Sequence, residues 1–221
     1  RRDAAADTIL LAKRGGKSSD FPTGDGIMRI LLAICLLWLS PLTWAFSENE
    51  LIALLQTPQN VQGDFTQQRF LKSLNKPITT QGKFILLAQK GLLWQMEKPF
   101  TNQLRVKKDG IMQWDGKQWV ANGKMGQAEQ ISLFLGLLSG DISGLKAQFD
   151  ATLVGEAKNW TLTLTPSSLL MKQIFNHIEI QGDSVVKTIV LDEKQVDKTQ
   201  IHFDNVQQNQ PLTAFAHAAL E

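Results

Sequence analysis

The sequence is poor in the side chains on which metal sites and disulfides depend. It contains one cysteine, Cys35, and only three histidines among 221 residues. One cysteine cannot form a disulfide within the chain, and no cysteine pair is available to bind zinc. The histidines are His177, His202 and His217, and no His-x-x-x-His spacing occurs. The sequence therefore predicts no metal site and no cofactor.

The sequence also lacks a recognisable nucleophile with its base. The Gly-x-Ser-x-Gly motif of esterases does not occur, and the glycines do not form a phosphate-binding loop. Asp109 and Asp115 are a conceivable acid and base, but each precedes a glycine in a pair that is typical of turns. We therefore predict no catalytic residue and a protein that is not an enzyme, with little support for a lipid hydrolase.

Positive charge is not in excess in the main part of the chain. Six of the 23 basic residues and four of the 21 acidic residues precede Phe46, which leaves 17 of each. No long basic run occurs in this part either. A neutral chain without a basic cluster is a poor partner for nucleic acid, so none is predicted.

Residues 28–45 have the pattern of a secretory signal peptide. A basic start at Met28-Arg29 is followed by the apolar stretch Ile30–Leu39, and Thr43-Trp44-Ala45 fits a cleavage site. The apolar stretch is too short for a membrane anchor, which needs about 20 residues. We expect cleavage after Ala45. Residues 1–27 are expected to be untranslated or disordered, and 46–221 to form a single domain.

Residues 81–119 have the pattern of an antiparallel sheet with one apolar face. Short segments are separated by Lys90-Gly91, Lys98-Pro99, Asp109-Gly110 and Asp115-Gly116, and Asp-Gly is a strong hairpin signal. Apolar and polar residues alternate along the segments. The apolar positions predicted to share a face are Phe84, Leu86, Leu92, Trp94, Met96, Leu104, Val106, Met112 and Trp114.

Helices and further strands are predicted on both sides of this stretch. Ser47 and Glu50 form a capping box before a short amphipathic helix, which Pro58 ends. A strand is predicted from Val61, and five more cover 149–155, 159–165, 174–181, 185–192 and 199–206. The segment Ile131–Leu138 is almost wholly apolar, which is typical of a helix buried on most sides. It is either a core helix or a lid over a curved sheet. The tail 209–221 is predicted to be weakly structured.

Three tryptophans leave two alternatives open. Trp94, Trp114 and Trp119 either fill a small core or line an apolar cavity, because a curved sheet covered by few helices encloses space that suits acyl chains.

The order of several short motifs resembles that of the LolA family of periplasmic lipoprotein carriers (LolA/LolB-like). The motifs are Phe65-x-Gln67, Gly82-Lys83-Phe84, Trp94-x-x-x-Lys98-Pro99, Asp109-Gly110-x-x-x-Trp114, Leu164-Thr165-Pro166 and Thr199-x-Ile201-x-Phe203-x-Asn205-Val206. They extend over residues 47–211. The resemblance implies an α+β, mostly β fold: an unclosed antiparallel β-barrel of about eleven strands covered by a few short helices.

The resemblance also implies a function and a site. It implies a monomer in the Gram-negative periplasm that shelters the acyl chains of lipoproteins or related lipidated cargo. The protein would receive this cargo from an inner-membrane donor and pass it to an outer-membrane acceptor. The implied cavity residues are Phe65, Phe84, Leu86, Trp94, Met96, Leu104, Met112 and Trp114. The implied lid residues are Leu133, Phe134, Leu135, Leu137 and Leu138. The alternative is a lipid-sensing or protein-interaction domain with the same fold.

One position departs from the family pattern. Well-studied carriers have a Lys-Arg-Pro run after the strand that follows Gly82, and its arginine helps to hold the lid shut. This chain has Leu87-Ala88-Gln89 there. Lys90 or Arg69 would have to supply the missing charge. The departure favours a divergent member of the family with a specialised cargo.

Overall fold

Eleven antiparallel strands form one sheet in the computed structural model, which describes residues 45–121, 135–195 and 198–221. The strands are β1 Asn60–Phe70, β2 Ile78–Leu87, β3 Gly91–Lys98, β4 Asn102–Lys107, β5 Gly110–Trp114, β6 Trp119–Ala121, β7 Phe149–Glu156, β8 Asn159–Pro166, β9 Phe175–Gly182, β10 Val186–Glu193 and β11 Lys198–Gln208. The predicted strands are confirmed, because turn residues and alternating apolar positions mark nearly all of their boundaries.

The first and last strands lie side by side in the middle of the sheet. The strand order is β6-β5-β4-β3-β2-β1-β11-β10-β9-β8-β7. Phe65 of β1 is paired with Phe203 of β11, and two meanders extend from this central pair. Strands β6 and β7 are the two edges, so the described sheet is not closed. The predicted unclosed antiparallel architecture, mostly β with about eleven strands, is confirmed.

Neighbouring strands run in opposite directions, so the connections fall at two ends of the sheet. We call the end where β1 begins the near end and the end where β1 finishes the far end. The connections after β2, β4, β7 and β9 lie at the near end. Those after β1, β3, β5, β8 and β10 lie at the far end.

Four short helices accompany the sheet in the described ranges. They are α1 Glu48–Gln56, α2 Ile142–Leu145, α3 Leu169–Ile174 and α4 Ala214–Leu220, and residues 135–139 are also helical. The predicted capping box of α1 is present. The Glu50 N–H donates to Ser47 Oγ over 3.3 Å, and the Ser47 N–H donates to Glu50 Oε2 over 2.7 Å.

Two apolar clusters lie on opposite faces of the sheet. The inner face carries Phe84 and Trp94, which belong to a large buried cluster together with Leu51 of α1, Ile142 of α2 and Met171 of α3. The outer face carries a smaller cluster. There Ile85 and Leu93 pack with Ala216, Ala219 and Leu220 of α4. Alternation along β2 and β3 separates the two clusters, because successive side chains point to opposite faces.

The helix α4 overturns the prediction of a weakly structured tail. Thr213 caps it, since its Oγ1 accepts a hydrogen bond from the Ala216 N–H over 3.1 Å. Ala216 and Leu220 are buried with no exposed surface, which anchors the helix. The tail does contain a helix signal, because a capping threonine precedes apolar residues at helical spacing.

Candidate functional site: an apolar interior under the helices

Four aromatic rings fill the centre of the inner face. The rings of Phe65 and Trp94 stack with centroids 3.7 Å apart. Phe84 meets Phe203 edge to face at 4.9 Å, and Trp94 meets Phe203 at 6.3 Å. The four rings come from β1, β2, β3 and β11, which are neighbours in the sheet. Because each aromatic side chain buries a large area, these four rings form the floor of the interior.

Beside this floor lies an apolar pocket. Its lining residues are all apolar: Leu55, Val61, Phe84, Leu86, Leu138, Val185 and Val186. The empty space around this lining is about 300 Å³, part of which is open to solvent, so the enclosed pocket is small. Val61 pairs with Leu86 where β1 begins, and Val185 ends the connection after β9. The pocket therefore lies at the near end.

The pocket also shows that the sheet is curved. Phe84 belongs to β2 and Val186 to β10, and two strands separate β2 from β10. In a flat sheet these strands would be about 14 Å apart. Their side chains nevertheless line one small pocket. The inner face is thus the concave face, as a cavity-forming sheet requires.

Residues 135–139 and α1 cover the pocket. Leu137 and Leu138 are buried against the inner cluster, and Leu135 is half-buried there. Gln56 of α1 donates its Nε2–H to the Gly140 carbonyl over 3.4 Å, and Lys146 forms an ion pair with Glu48. These two contacts join α1 to the residues that follow the segment 135–139. The predicted lid residues Leu133 and Phe134 lie outside the described residues, and the lid role itself remains a prediction.

Six of the eight predicted cavity residues lie on the inner face. Phe65, Phe84, Leu86 and Trp94 are buried there, and Met96 and Leu104 are half-buried against the same cluster. Only Phe84 and Leu86 line the pocket itself. Contact of these residues with cargo remains a prediction.

Met112 and Trp114 lie on the outer face, so their predicted placement beside Trp94 is wrong. The turn after β4 pairs Val106 with Ile111 and Arg105 with Met112. Paired residues of antiparallel strands share a face, so Ile111 is the residue that continues the inner face. Hydrophobicity alone did not reveal this register, because both Ile111 and Met112 are apolar.

The outer face is apolar here because α4 covers it. The ring of Phe215 lies 5.5 Å from that of Trp114 and 5.8 Å from that of Trp119. The Arg105 guanidinium lies 5.2 Å from the centre of the Trp119 ring, and it donates to the Ala219 carbonyl over 3.3 Å. Trp114 and Trp119 therefore hold the C-terminal helix in place, whereas Trp94 belongs to the interior.

The inner face changes character towards the far end. The inner row of β1 continues beyond Phe65 with Gln67 and Arg69, which pair with Ile201 and Thr199 of β11. Glu193 ends β10 nearby. Burial raises the pKa of the Glu193 carboxyl, and the Arg69 guanidinium opposes that rise. The inner face is thus polar where β1 and β10 reach the far end, whereas Phe149 and Phe175 keep it apolar at that end beside β7 and β9.

The Glu193→Gln variant is expected to be more stable than the native chain at neutral pH. A carboxyl whose pKa is raised by folding binds its proton more tightly in the native state, so its contribution to stability falls as pH rises through that raised pKa. The variant removes this loss. Urea unfolding should therefore show a difference at pH 7 that disappears below the ordinary pKa of 4.5. If the native chain and the variant lose stability equally as pH rises, the raised pKa of Glu193 is contradicted. The Arg69→Gln variant, which keeps Glu193, should lose more stability with rising pH than the native chain does.

The turn between β2 and β3 contains the departure from the family pattern. Leu87 ends β2, and the Ala88 N–H donates to the Gln59 carbonyl over 2.9 Å, next to the end of α1. Lys90 belongs to this near-end turn, whereas Arg69 lies at the far end of β1. Arg69 is therefore remote from this turn, and Lys90 is the basic side chain at this place; substitution for the missing arginine remains a prediction.

Neither a metal-binding cluster nor a membrane-spanning helix occurs in the described residues. No group of three or more histidine, cysteine, aspartate or glutamate side chains is arranged there to hold a metal ion. Over the same residues, no helix has the length and apolar character needed to cross a bilayer.

The chain therefore has an open, curved antiparallel sheet with an apolar interior under short helices. A model of the family described as outer membrane lipoprotein carrier protein LolA matches residues 56–216. This match extends over most of the chain, so the chain belongs to the LolA family. The predicted family is confirmed. No curated protein sequence matches the chain.

Solved structures with a similar arrangement share little sequence with the chain. MucB in complex with MucA(peri) is 15% identical with a TM-score of 0.42, over 76% of this chain and 56% of that one. A DUF1329 family protein from Desulfovibrio piger is 12% identical with a TM-score of 0.47, over 79% and 96%. LolA superfamily protein NE2245 from Nitrosomonas europaea is 9% identical with a TM-score of 0.43, over 76% and 94%. The chain thus spans little more than half of the MucB structure.

Proposed function

We propose that residues 46–221 are a periplasmic carrier that shelters the acyl chains of lipoproteins or related lipidated cargo. The carrier would take this cargo from an inner-membrane donor and release it towards the outer membrane. One observation carries the proposal: the pocket beneath α1 and residues 135–139 is lined by apolar side chains alone. Such a pocket offers no polar side chain to a ligand but matches the chemistry of an acyl chain.

The size of the pocket supports a binding step in which the cover moves. The empty space beside Leu138, about 300 Å³ with its part open to solvent, is small, and the aromatic floor fills the centre of the interior. A longer chain therefore needs Leu138 and its neighbours to swing away. Each buried methylene stabilises binding by about 0.8 kcal/mol, which offsets the contacts that the cover loses. Closing the cover again expels the chain, as a carrier must.

Native mass spectrometry of the protein purified from its own periplasm tests the carrier function directly. We expect a population whose excess mass matches an acylated molecule, released on mild denaturation. The purified unit should also bind a fluorescent fatty acid. Protein that carries no lipid and binds no such probe would contradict the proposal.

A second function, lipid sensing or partner binding, is favoured by the near-end turn. This turn lacks the arginine that helps to close the lid in well-studied carriers, with Leu87-Ala88-Gln89 in its place. A transfer assay separates the two functions. A carrier passes labelled acyl-peptide from a donor to acceptor vesicles, whereas a sensor retains the label on the protein.

A further inference from the structure

Exposed apolar side chains concentrate at the far end of the sheet. Among the described residues, most large apolar side chains with high exposure lie on or beside far-end connections: Leu74, Ile78, Phe100, Leu169 and Leu170. Phe100 is 79% exposed and Leu169 is 81% exposed. Val120 and Val154, the other two, lie on the edge strands β6 and β7. Exposed apolar residues grouped in one region mark an interaction surface.

Two of these connections are direct neighbours. Strand β2 pairs with both β1 and β3, so the turn 71–77 lies next to the turn 99–101. Arg69 pairs with Ile78, and Gln81 pairs with Lys98. The third connection, which holds α3, joins β8 and β9 at the same end. We call these five exposed apolar residues the far-end rim.

Basic side chains accompany the far-end rim. Arg69, Lys72, Lys76, Lys98 and Lys172 lie on the same three connections or at their borders, and the ranges 69–78, 98–101 and 167–174 contain no aspartate or glutamate. The adjacent Glu97 interacts with Lys83 of β2. The far-end connection after β10 carries both acidic and basic residues. The excess of positive charge at the far end therefore comes from the three connections of the rim. The rest of 46–221 must therefore be net negative, because the whole range is neutral.

We propose that the far-end rim docks the protein on the surface of an anionic lipid bilayer. Single apolar side chains at the tips of separate connections suit the interfacial layer of a bilayer, which deforms around each one. The flanking lysines match the negative headgroups. A protein partner is the less favoured occupant, because the rim residues stand on separate connections without forming a lined groove. The proposal does not depend on the carrier function.

Sedimentation with lipid vesicles tests the proposal on residues 45–221, which form a compact unit. One set of vesicles contains phosphatidylcholine alone, and a second contains phosphatidylglycerol as well. We expect binding to the second set, weakened by added salt because salt screens surface charges.

The Phe100→Ser variant should bind these vesicles about tenfold more weakly, since one buried phenylalanine contributes that much or more. Lys76→Gln combined with Lys98→Gln should weaken vesicle binding about twenty-fivefold, because each lysine contributes about fivefold.

Matched variants at other sites serve as controls. Val154→Ser removes an exposed apolar side chain from an edge strand, and Lys158→Gln removes a near-end lysine. Both are expected to bind vesicles as the native chain does. Leu138→Glu, which alters the pocket, should also keep vesicle binding, so that failure of the carrier function is distinguishable from failure of docking.

Three outcomes overturn the proposal. The first is the absence of vesicle binding, and the second is equal binding to both vesicle sets with no effect of salt. The third is vesicle binding that the rim variants leave unchanged. If the rim variants instead disrupt a complex with a protein while vesicle binding is absent, the rim belongs to a protein interface.

Discussion

The Leu138→Glu variant is expected to lose binding of a fluorescent fatty acid by about a hundredfold or more, because an unpaired carboxylate in an apolar pocket costs several kcal/mol. Leu138 is 6% exposed and lines the pocket together with Phe84 and Leu86. A titration of the probe followed by fluorescence measures the loss. Circular dichroism and urea unfolding establish that the variant is folded.

Two companion variants make the Leu138 result interpretable. Val154→Glu places the same carboxylate at an apolar position that is 65% exposed, and it should bind the probe as the native chain does. Leu138→Ala adds no charge and widens the pocket, so binding should persist or strengthen. If Leu138→Glu keeps native affinity while folded, the pocket does not hold the acyl chain.

The Trp94→Ala variant is expected to lose about 3–5 kcal/mol of unfolding free energy, the usual cost of deleting a buried large aromatic residue. Trp94 is 8% exposed, and its ring stacks on Phe65 at 3.7 Å. Trp114→Ala should cost about 1–2 kcal/mol, because a half-buried ring on the outer face loses less apolar contact. Urea unfolding monitored by circular dichroism compares the two.

Probe binding separates the two tryptophans more sharply than stability does. The centre of the Trp94 ring lies 6.4 Å from the centre of the Phe84 ring, and Phe84 lines the pocket. Removal of its indole opens space beside the pocket, and we expect a shift in preference towards longer acyl chains. Trp114→Ala is expected to leave that preference unchanged. An equal response of both variants would contradict the assignment of the two rings to opposite faces.

Local signals were sufficient to predict most of the fold. Ser47 and Glu50 predicted the start of α1, and Asp109-Gly110 predicted the hairpin between β4 and β5. These signals depend on neighbouring residues only, because a cap or a tight turn is defined within a few positions. The order of strands in the sheet and the open barrel required the family resemblance, since pairing between distant strands leaves no local mark.

The candidate site was predictable only in part, because register decides which face a side chain occupies. Phe84 and Trp94 were placed correctly from alternation within their own strands. Met112 and Trp114 were not, since the turn after β4 pairs Val106 with Ile111. Val185 and Val186 were missed as pocket residues for a different reason. They reach the pocket only through curvature of the sheet, which no sequence pattern specifies.

The position of β1 beside β11 has a consequence for the order in which the chain folds. Phe65 must meet Phe203, so the central ladder closes a loop that extends over most of the compact unit. Strand pairs such as β2–β3 and β8–β9 close short loops, and they therefore lose less chain entropy on pairing than β1 and β11 do. The two meanders are therefore able to form early, whereas the centre of the sheet waits for the last strand. Since the amino end of the chain is synthesised first, Phe65 and its apolar neighbours stay exposed until β11 has followed.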